Sequence, residues 1–133
     1  MRYMLDTNIC IYAIKQKPVV VFKRLLEHKP EEICISSITY SELVYGVEKS
    51  QAKERNRIAL ILLLSRIDIV DYDTRAAESY GCIRAELERN GIPIGSMDTM
   101  IAAHAKSLNY VLVTNNTREF ERVSGLQVEN WAE

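Results

Sequence analysis

The sequence predicts an α/β protein: one domain over residues 1–133, with a central parallel sheet of about five strands covered by helices on both faces. Three observations carry this prediction. Short apolar or β-branched runs alternate with helical periodicities along the whole chain. The 133 residues suit one compact domain, and 47% of them are hydrophobic, enough to bury a core. Five Gly and three Pro leave little room for long linkers, and no repeat or low-complexity tract interrupts the pattern.

The elements follow in order. "YML" (3–5) is a short strand that ends at Asp6. "NICIYAIKQ" (8–16) has helical spacing, with Ile9, Tyr12 and Ile14 toward the core, and Pro18 opens a second helix, "VVVFKRLLEH" (19–28). "EICIS" (32–36) is a buried strand, and Ser36 or Ser37 caps the helix "SITYSELVYGVEKS" (37–50). "AKERNRIALILLLSR" (52–66) is amphipathic, and "RIDIVDYD" (66–73) holds the third strand. "TRAAESYGCIRAELERNG" (74–91) is a long helix capped by Asp73 and stopped by Gly91. "SMDTMIAAHAKSLN" (96–109) is a helix with Ser96 as its cap, "YVLVT" (110–114) is a β-branched strand, and "LQVENW" (126–131) adds a last one.

Composition excludes several function classes. No apolar run approaches the ~20 residues of a membrane helix. The longest is "IALILLL" (58–64). The N-terminus lacks a signal-peptide pattern, so a cytoplasmic setting is expected. Three scattered cysteines, Cys10, Cys34 and Cys82, form no CxxC and read as buried thiols. His28 and His104 lack ligand-like spacing, and His104 reads as a packed histidine beside an apolar stripe. Met97 and Met100 read as core. Net charge is −1, unevenly spread: residues 1–30 carry six Lys/Arg against two acids, and residues 67–100 carry seven Asp/Glu against three Arg. A basic patch beside an acidic pocket suits a nucleic-acid enzyme. A solvated surface explains the same asymmetry.

In a parallel α/β sheet, ligand sites form beyond the carboxyl ends of the strands. Asp6 follows the first strand, and Asn115, Asn116 and Glu119 follow "YVLVT". Counting back from Ile101, Ala102, Ala105 and Leu108 puts Asp98 on the core-facing stripe of its helix. Glu42 lies four residues after Ile38 and four before Gly46, on a face shared with Tyr45, where Gly46 permits close approach. Each acid also has a plainer reading. Asp6 or Thr7 is a helix N-cap, Asp98 favours the positive end of its helix, and Glu42 is a surface residue. The combination tips the balance. At ~4 Å and an effective dielectric near 20, each carboxylate pair costs roughly 4 kcal/mol, which a divalent cation relieves. An all-oxygen donor set favours Mg²⁺ or Mn²⁺.

Beyond spacing, "MLDTN", "SSITYSELVYGVEKS" (36–50), "MDTMIAAHA" (97–105), "LVTNNTREFERVSGL" (112–126) and "VENW" occur in order across nearly the whole chain. With these the sequence resembles the PIN-domain ribonucleases, specifically VapC-type toxins of bacterial toxin–antitoxin pairs. The resemblance implies a metal-dependent endoribonuclease that inhibits translation, with Mg²⁺ or Mn²⁺ held by Asp6, Glu42 and Asp98. The family often has a further acid two residues past the Thr of "VT". That position is Asn116, which supplies a neutral oxygen, and Glu119 replaces the missing acid. Thr7, Asn8 and Thr114 are implied as groups that orient the acids. The products implied are a 5′-phosphate and a 3′-hydroxyl. The implied substrate is RNA, with the anticodon stem-loop of initiator tRNA first among tRNA sites, and Lys15, Lys17, Lys23 and Arg24 as phosphate contacts. The implied partners are a small VapB-type antitoxin and a second copy of the chain in a homodimer, with the apolar faces of 18–28 and 53–65 available for contact. Two rivals stay open. A dehalogenase-like phosphatase wants a second Asp where Asn8 stands, and a non-catalytic binding module follows if Asn116 has cost the site its metal.

Overall fold

The computed structural model describes residues 2–133. Five parallel strands form one sheet: β1 (Tyr3–Leu5), β2 (Ile33–Ser36), β3 (Asp68–Val70), β4 (Val111–Val113) and β5 (Val128–Glu129), in the order β3-β2-β1-β4-β5. Tyr3 pairs with Ile33 on one side and with Val111 on the other, so β1 lies at the centre. The chain leaves β1 toward β2 and later returns to β1's other side with β4. That reversal opens a crevice at the carboxyl ends of β1 and β4.

Seven helices cover the sheet: α1 (Thr7–Lys15), α2 (Val19–Leu26), α3 (Ser37–Lys49), α4 (Lys53–Leu64), α5 (Thr74–Arg89), α6 (Ser96–Ser107) and the single turn α7 (Thr117–Phe120). Strand side chains alternate between faces. Leu5, Ile33, Ile35 and Val113 pack with α1, α2, α3 and α4, whereas Met4, Cys34 and Leu112 pack with α5, α6 and α7. Fully burying one such aliphatic side chain contributes about 1.5–3 kcal/mol. The two cores therefore clamp the central strands from both sides.

Local signals explain most boundaries. Ser36 caps α3, its hydroxyl accepting the Ile38 N–H at 3.1 Å, and Asp73 caps α5 by accepting from Ala76 at 3.0 Å. Gly91 ends α5 in the left-handed region (φ 69), where its N–H reaches the Glu88 carbonyl while Ile92 N–H reaches Leu87. At α6 the expected cap moves back by one: Gly95 is the N-cap and Ser96 is already helical, because the Gly95 carbonyl takes the N–H and hydroxyl of Thr99.

Three burial expectations are corrected. Cys82 is exposed, since the buried stripe of α5 runs Ala76, Ile83, Leu87 and leaves position 82 turned to solvent. Tyr45 is exposed because α3 buries Thr39, Leu43 and Val47, and position 45 falls on the opposite face. Met97 is exposed on the first turn of α6, where Thr99 and Ile101 take the inward positions.

Candidate metal centre

Asp6 is where the strand-end argument and the capping argument meet. Its backbone N–H donates to the Val113 carbonyl at 3.0 Å, extending the β1–β4 pairing by one residue. Its carboxylate is buried and caps α1, one oxygen accepting the Ile9 N–H at 2.9 Å. Burial pushes its pKa up. The Thr114 hydroxyl and the Ile9 N–H oppose that rise, and the charges of Glu42 and Glu119 add to it. Capping and membership of an acidic cluster are therefore properties of the same side chain.

Thr7, the next residue, donates its hydroxyl to Glu42 at 2.5 Å and so ties α1 to α3. Asp98, in the first turn of α6, is half-buried and its pKa is pushed up to about 7. Burial is the first cause, followed by the charge of Glu119, a hydrogen bond shared with Glu119, and the charges of Asp6 and Glu42. Glu119 on α7 also accepts from the Asn116 side-chain amide. Thr114 is fully buried, and its hydroxyl accepts the Asn116 backbone N–H at 2.9 Å. Four acids from β1, α3, α6 and α7 thus gather in the crevice between β1 and β4. The fold also brings Thr7, Thr114 and Asn116 there. Asn8 is not brought in. It is exposed on α1.

Among the described residues no three of these acids have closed into a metal cage. The charges of Glu42 and Glu119 nonetheless act on both Asp6 and Asp98, which places the four acids in one crevice. Rotation about side-chain bonds closes a gap between carboxylates, whereas the backbone fixes which carboxylates share the space. The donor set fits a hard divalent cation. All four acids offer oxygen, and the one nearby imidazole, His104, is committed elsewhere. Neutral oxygen is available too: the Asn115 carbonyl oxygen is buried without a partner, while its amide donates to the Tyr12 hydroxyl at 3.1 Å. Asp6, Glu42, Asp98 and Glu119 are thus the residues able to hold such an ion.

Behind the acids lies a network that the sequence does not announce. His104 is buried on α6, 2.8 Å from the Ser36 hydroxyl and edge-on to Tyr72. Burial pushes the His104 pKa down, favouring the neutral ring. Ser37 accepts the Tyr72 N–H at 3.0 Å. The start of α3, which carries Glu42, is therefore tied to α6, which carries Asp98, and through Ser37 to the segment that leads into α5. A polar cap residue opposite a buried histidine was the available signal, but nothing in the sequence pairs Ser36 with a residue 68 positions away.

Of the basic residues expected to meet phosphates, Lys15 borders an apolar groove with Glu42 and Gly46. Nothing else in the chain packs at Gly46, so the groove is open there. Arg24 lies 5.6 Å above the Trp131 ring and 3.7 Å from Glu129, a packing role rather than a free cation.

The PIN domain model matches residues 3–126. The chain belongs to the PIN domain family. It is 54% identical over 132 residues to the tRNA(fMet)-specific endonuclease VapC of Shigella flexneri, covering 99% of each chain. Solved PIN domain structures repeat its shape. A DNA-bound VapBC complex from Salmonella typhimurium superposes with a TM-score of 0.93 at 51% identity and 98% coverage of both chains. VapBC2 from Rickettsia felis, bound to a promoter DNA fragment, gives 0.92 at 45% identity, covering 98% of this chain and 99% of that one.

Proposed function

We propose that this PIN domain is the toxin of a VapBC-type toxin–antitoxin pair, a Mg²⁺- or Mn²⁺-dependent endoribonuclease that cuts initiator tRNA in its anticodon stem-loop. The observation that carries the chemistry is the coupled set of Asp6, Glu42, Asp98 and Glu119 at the switch point of the sheet. The tRNA assignment rests on the name of the Shigella flexneri relative.

When bound, the divalent ion supplies an acidified water and offsets charge on the phosphate. The residues do the rest. Asp6 is immobilised by the Ile9 N–H and Thr114, so it presents a fixed oxygen. Thr7 restrains Glu42 in the same way. Asp98, which burial and Glu119 hold up to about 7, is suited to take a proton from the attacking water and return one to the leaving O3′. The water oxygen bonds to phosphorus as the P–O3′ bond breaks, leaving a 5′-phosphate and a 3′-hydroxyl.

The proposed partner is a small VapB-type antitoxin. Exposed Ile58, Ile61 and Leu62 on α4, with Val19 and Leu26 on α2, are the apolar area that it or a second copy of the chain would cover. Among the described residues no helix is long and apolar enough to cross a membrane, and we place the protein in the cytoplasm with its RNA.

Incubation of initiator tRNA with wild type and Asp6→Asn, each with Mg²⁺ and with EDTA, tests this reading. Cleavage by the wild type with Mg²⁺ alone, mapped to the anticodon arm by 5′-end sequencing, is expected. Equal cleavage in all four arms would sink it.

A further inference from the structure

One end of the acidic crevice runs into an open trough of about 590 Å³ between the 93–95 loop and α7. That volume falls in the ~300–1,000 Å³ range of small-ligand sites. The trough is continuous with the acids. Glu119 lines it, and a Cβ built on Gly95 would lie 3.9 Å from an Asp98 carboxylate oxygen. Its floor has apolar matter in Pro93 and Ile94, and its far wall carries two arginines one helical turn apart, Arg118 and Arg122.

The two arginines differ. Arg122 donates to the Pro93 carbonyl at 3.0 Å, which ties the turn after α7 to the 93–95 loop and leaves most of its donors free. Arg118 is exposed and makes no ion pair among the described residues, although Glu119 and Glu121 are close in sequence. Other arginines are unpaired too among the described residues, but Arg118 and Arg122 are the two that line the trough beside Glu119. Glu119 is instead engaged with Asn116 and Asp98. An unpaired guanidinium beside a site that handles phosphate has the planar fork that binds a phosphate through two oxygens.

We propose that this trough seats the nucleotide adjacent to the scissile phosphate. Its base rests on Pro93 and Ile94, Arg118 grips its phosphate, and Arg122 holds the wall and adds a second positive charge. The proposal rests on the ribonuclease reading and assigns Arg118 as an RNA-binding residue for that reaction. Asn116, at the boundary between trough and acids, would then face the nucleotide rather than a metal alone.

Fluorescence anisotropy of the full chain in EDTA, with labelled initiator tRNA and a labelled random single-stranded RNA over a KCl series, tests it. Arg118→Ala is expected to weaken both about 10-fold, with the log Kd against log salt slope smaller by about 0.7, the value for one lost single-strand phosphate contact. Arg118→Lys should keep the slope and recover part of the affinity. Arg66→Ala, exposed at the opposite edge of the sheet, should change neither. In Mg²⁺, Arg118→Ala should raise KM with little change in kcat. Wild-type Kd, slope and KM in an Arg118→Ala protein of unchanged melting temperature would overturn the proposal while leaving the ribonuclease reading intact. So would retained RNA affinity with lost affinity for a poly-glutamate peptide, which would assign the trough to an acidic protein partner. An Arg118 effect on random RNA without preference for initiator tRNA would keep the trough and remove the tRNA assignment. A wild type that neither binds nor cuts any RNA would remove both.

Discussion

Asp98 carries the most informative titration in the molecule. Its carboxyl is held up to about 7, against an ordinary value near 3.8, by burial and by Glu119. Between those two values the folded protein keeps a proton that the unfolded chain has released, so this group makes stability fall as pH rises toward 7 and leaves it flat above. Half-exposed as it is, solvent screening limits the effect to on the order of 1–2 kcal/mol. Asp98→Asn is expected to abolish this slope and to raise the metal-free melting temperature at pH 8, as followed by thermal denaturation in EDTA. An unchanged slope would mean that Asp98 is not the proton holder. At this scale the sequence was legible where a residue's placement depends on its own register: Asp6 from its strand end, Asp98 from the stripe of α6. It was illegible where burial depends on which neighbour wins the inward position, as at Tyr45, Met97 and Cys82.

Among the elements, α6 matters most, because it carries Asp98 at one end and His104 two turns later. His104 joins α6 to the Ser36 cap of α3, and the neighbouring Ser37 joins that cap to Tyr72 in the loop before α5. A buried hydrogen bond whose partner is left unsatisfied costs about 1–3 kcal/mol. Ser36→Ala removes both the cap and the histidine's partner, so a loss of about 2–4 kcal/mol is expected in denaturant unfolding. His104→Gln should lose less at neutral pH and flatten the acid limb. The folded-state pKa of His104 is lowered, so its contribution is present above about 6.5 and is lost as pH falls toward that lowered value. Wild-type and His104→Gln proteins with parallel stability-versus-pH curves below 6.5 would contradict this role. Element order and type were readable from periodicity because six of the seven helices are eight residues or longer. The exception is α7, four residues that only tertiary contacts hold, since a turn that short has no stability of its own. Yet α7 delivers Glu119, so the least legible element supplies the fourth acid of the crevice.

Across the whole molecule, the sheet concentrates like charges at its switch point, and the fold sustains that arrangement from elsewhere. Two apolar cores clamp β1 and β4 from either side, and the His104–Ser36 contact ties together α3 and α6, which carry Glu42 and Asp98. Sequence alone indicated this convergence through the rule that ligands bind beyond strand ends. It could not show that Glu119 reaches Asp98 and holds its pKa up, because that depends on α6 and α7 meeting across a distance set by β4. The consequence is a trade between stability and function. A cation that binds only the folded state stabilises it by RT ln(1 + [L]/Kd), about 2.7 kcal/mol at a hundredfold excess over Kd. Mn²⁺ should therefore raise the melting temperature of the wild type at pH 8. The gain should shrink toward pH 6, as protons compete with the ion for Asp98. Glu119→Gln should melt higher than the wild type in EDTA, yet gain less from Mn²⁺, because removing one of four repelling charges relieves the crevice and weakens its hold on the ion. A Glu119→Gln protein that gains as much from Mn²⁺ as the wild type would place Glu119 outside the ion's ligands and leave Asp6, Glu42 and Asp98 as the acids that hold it.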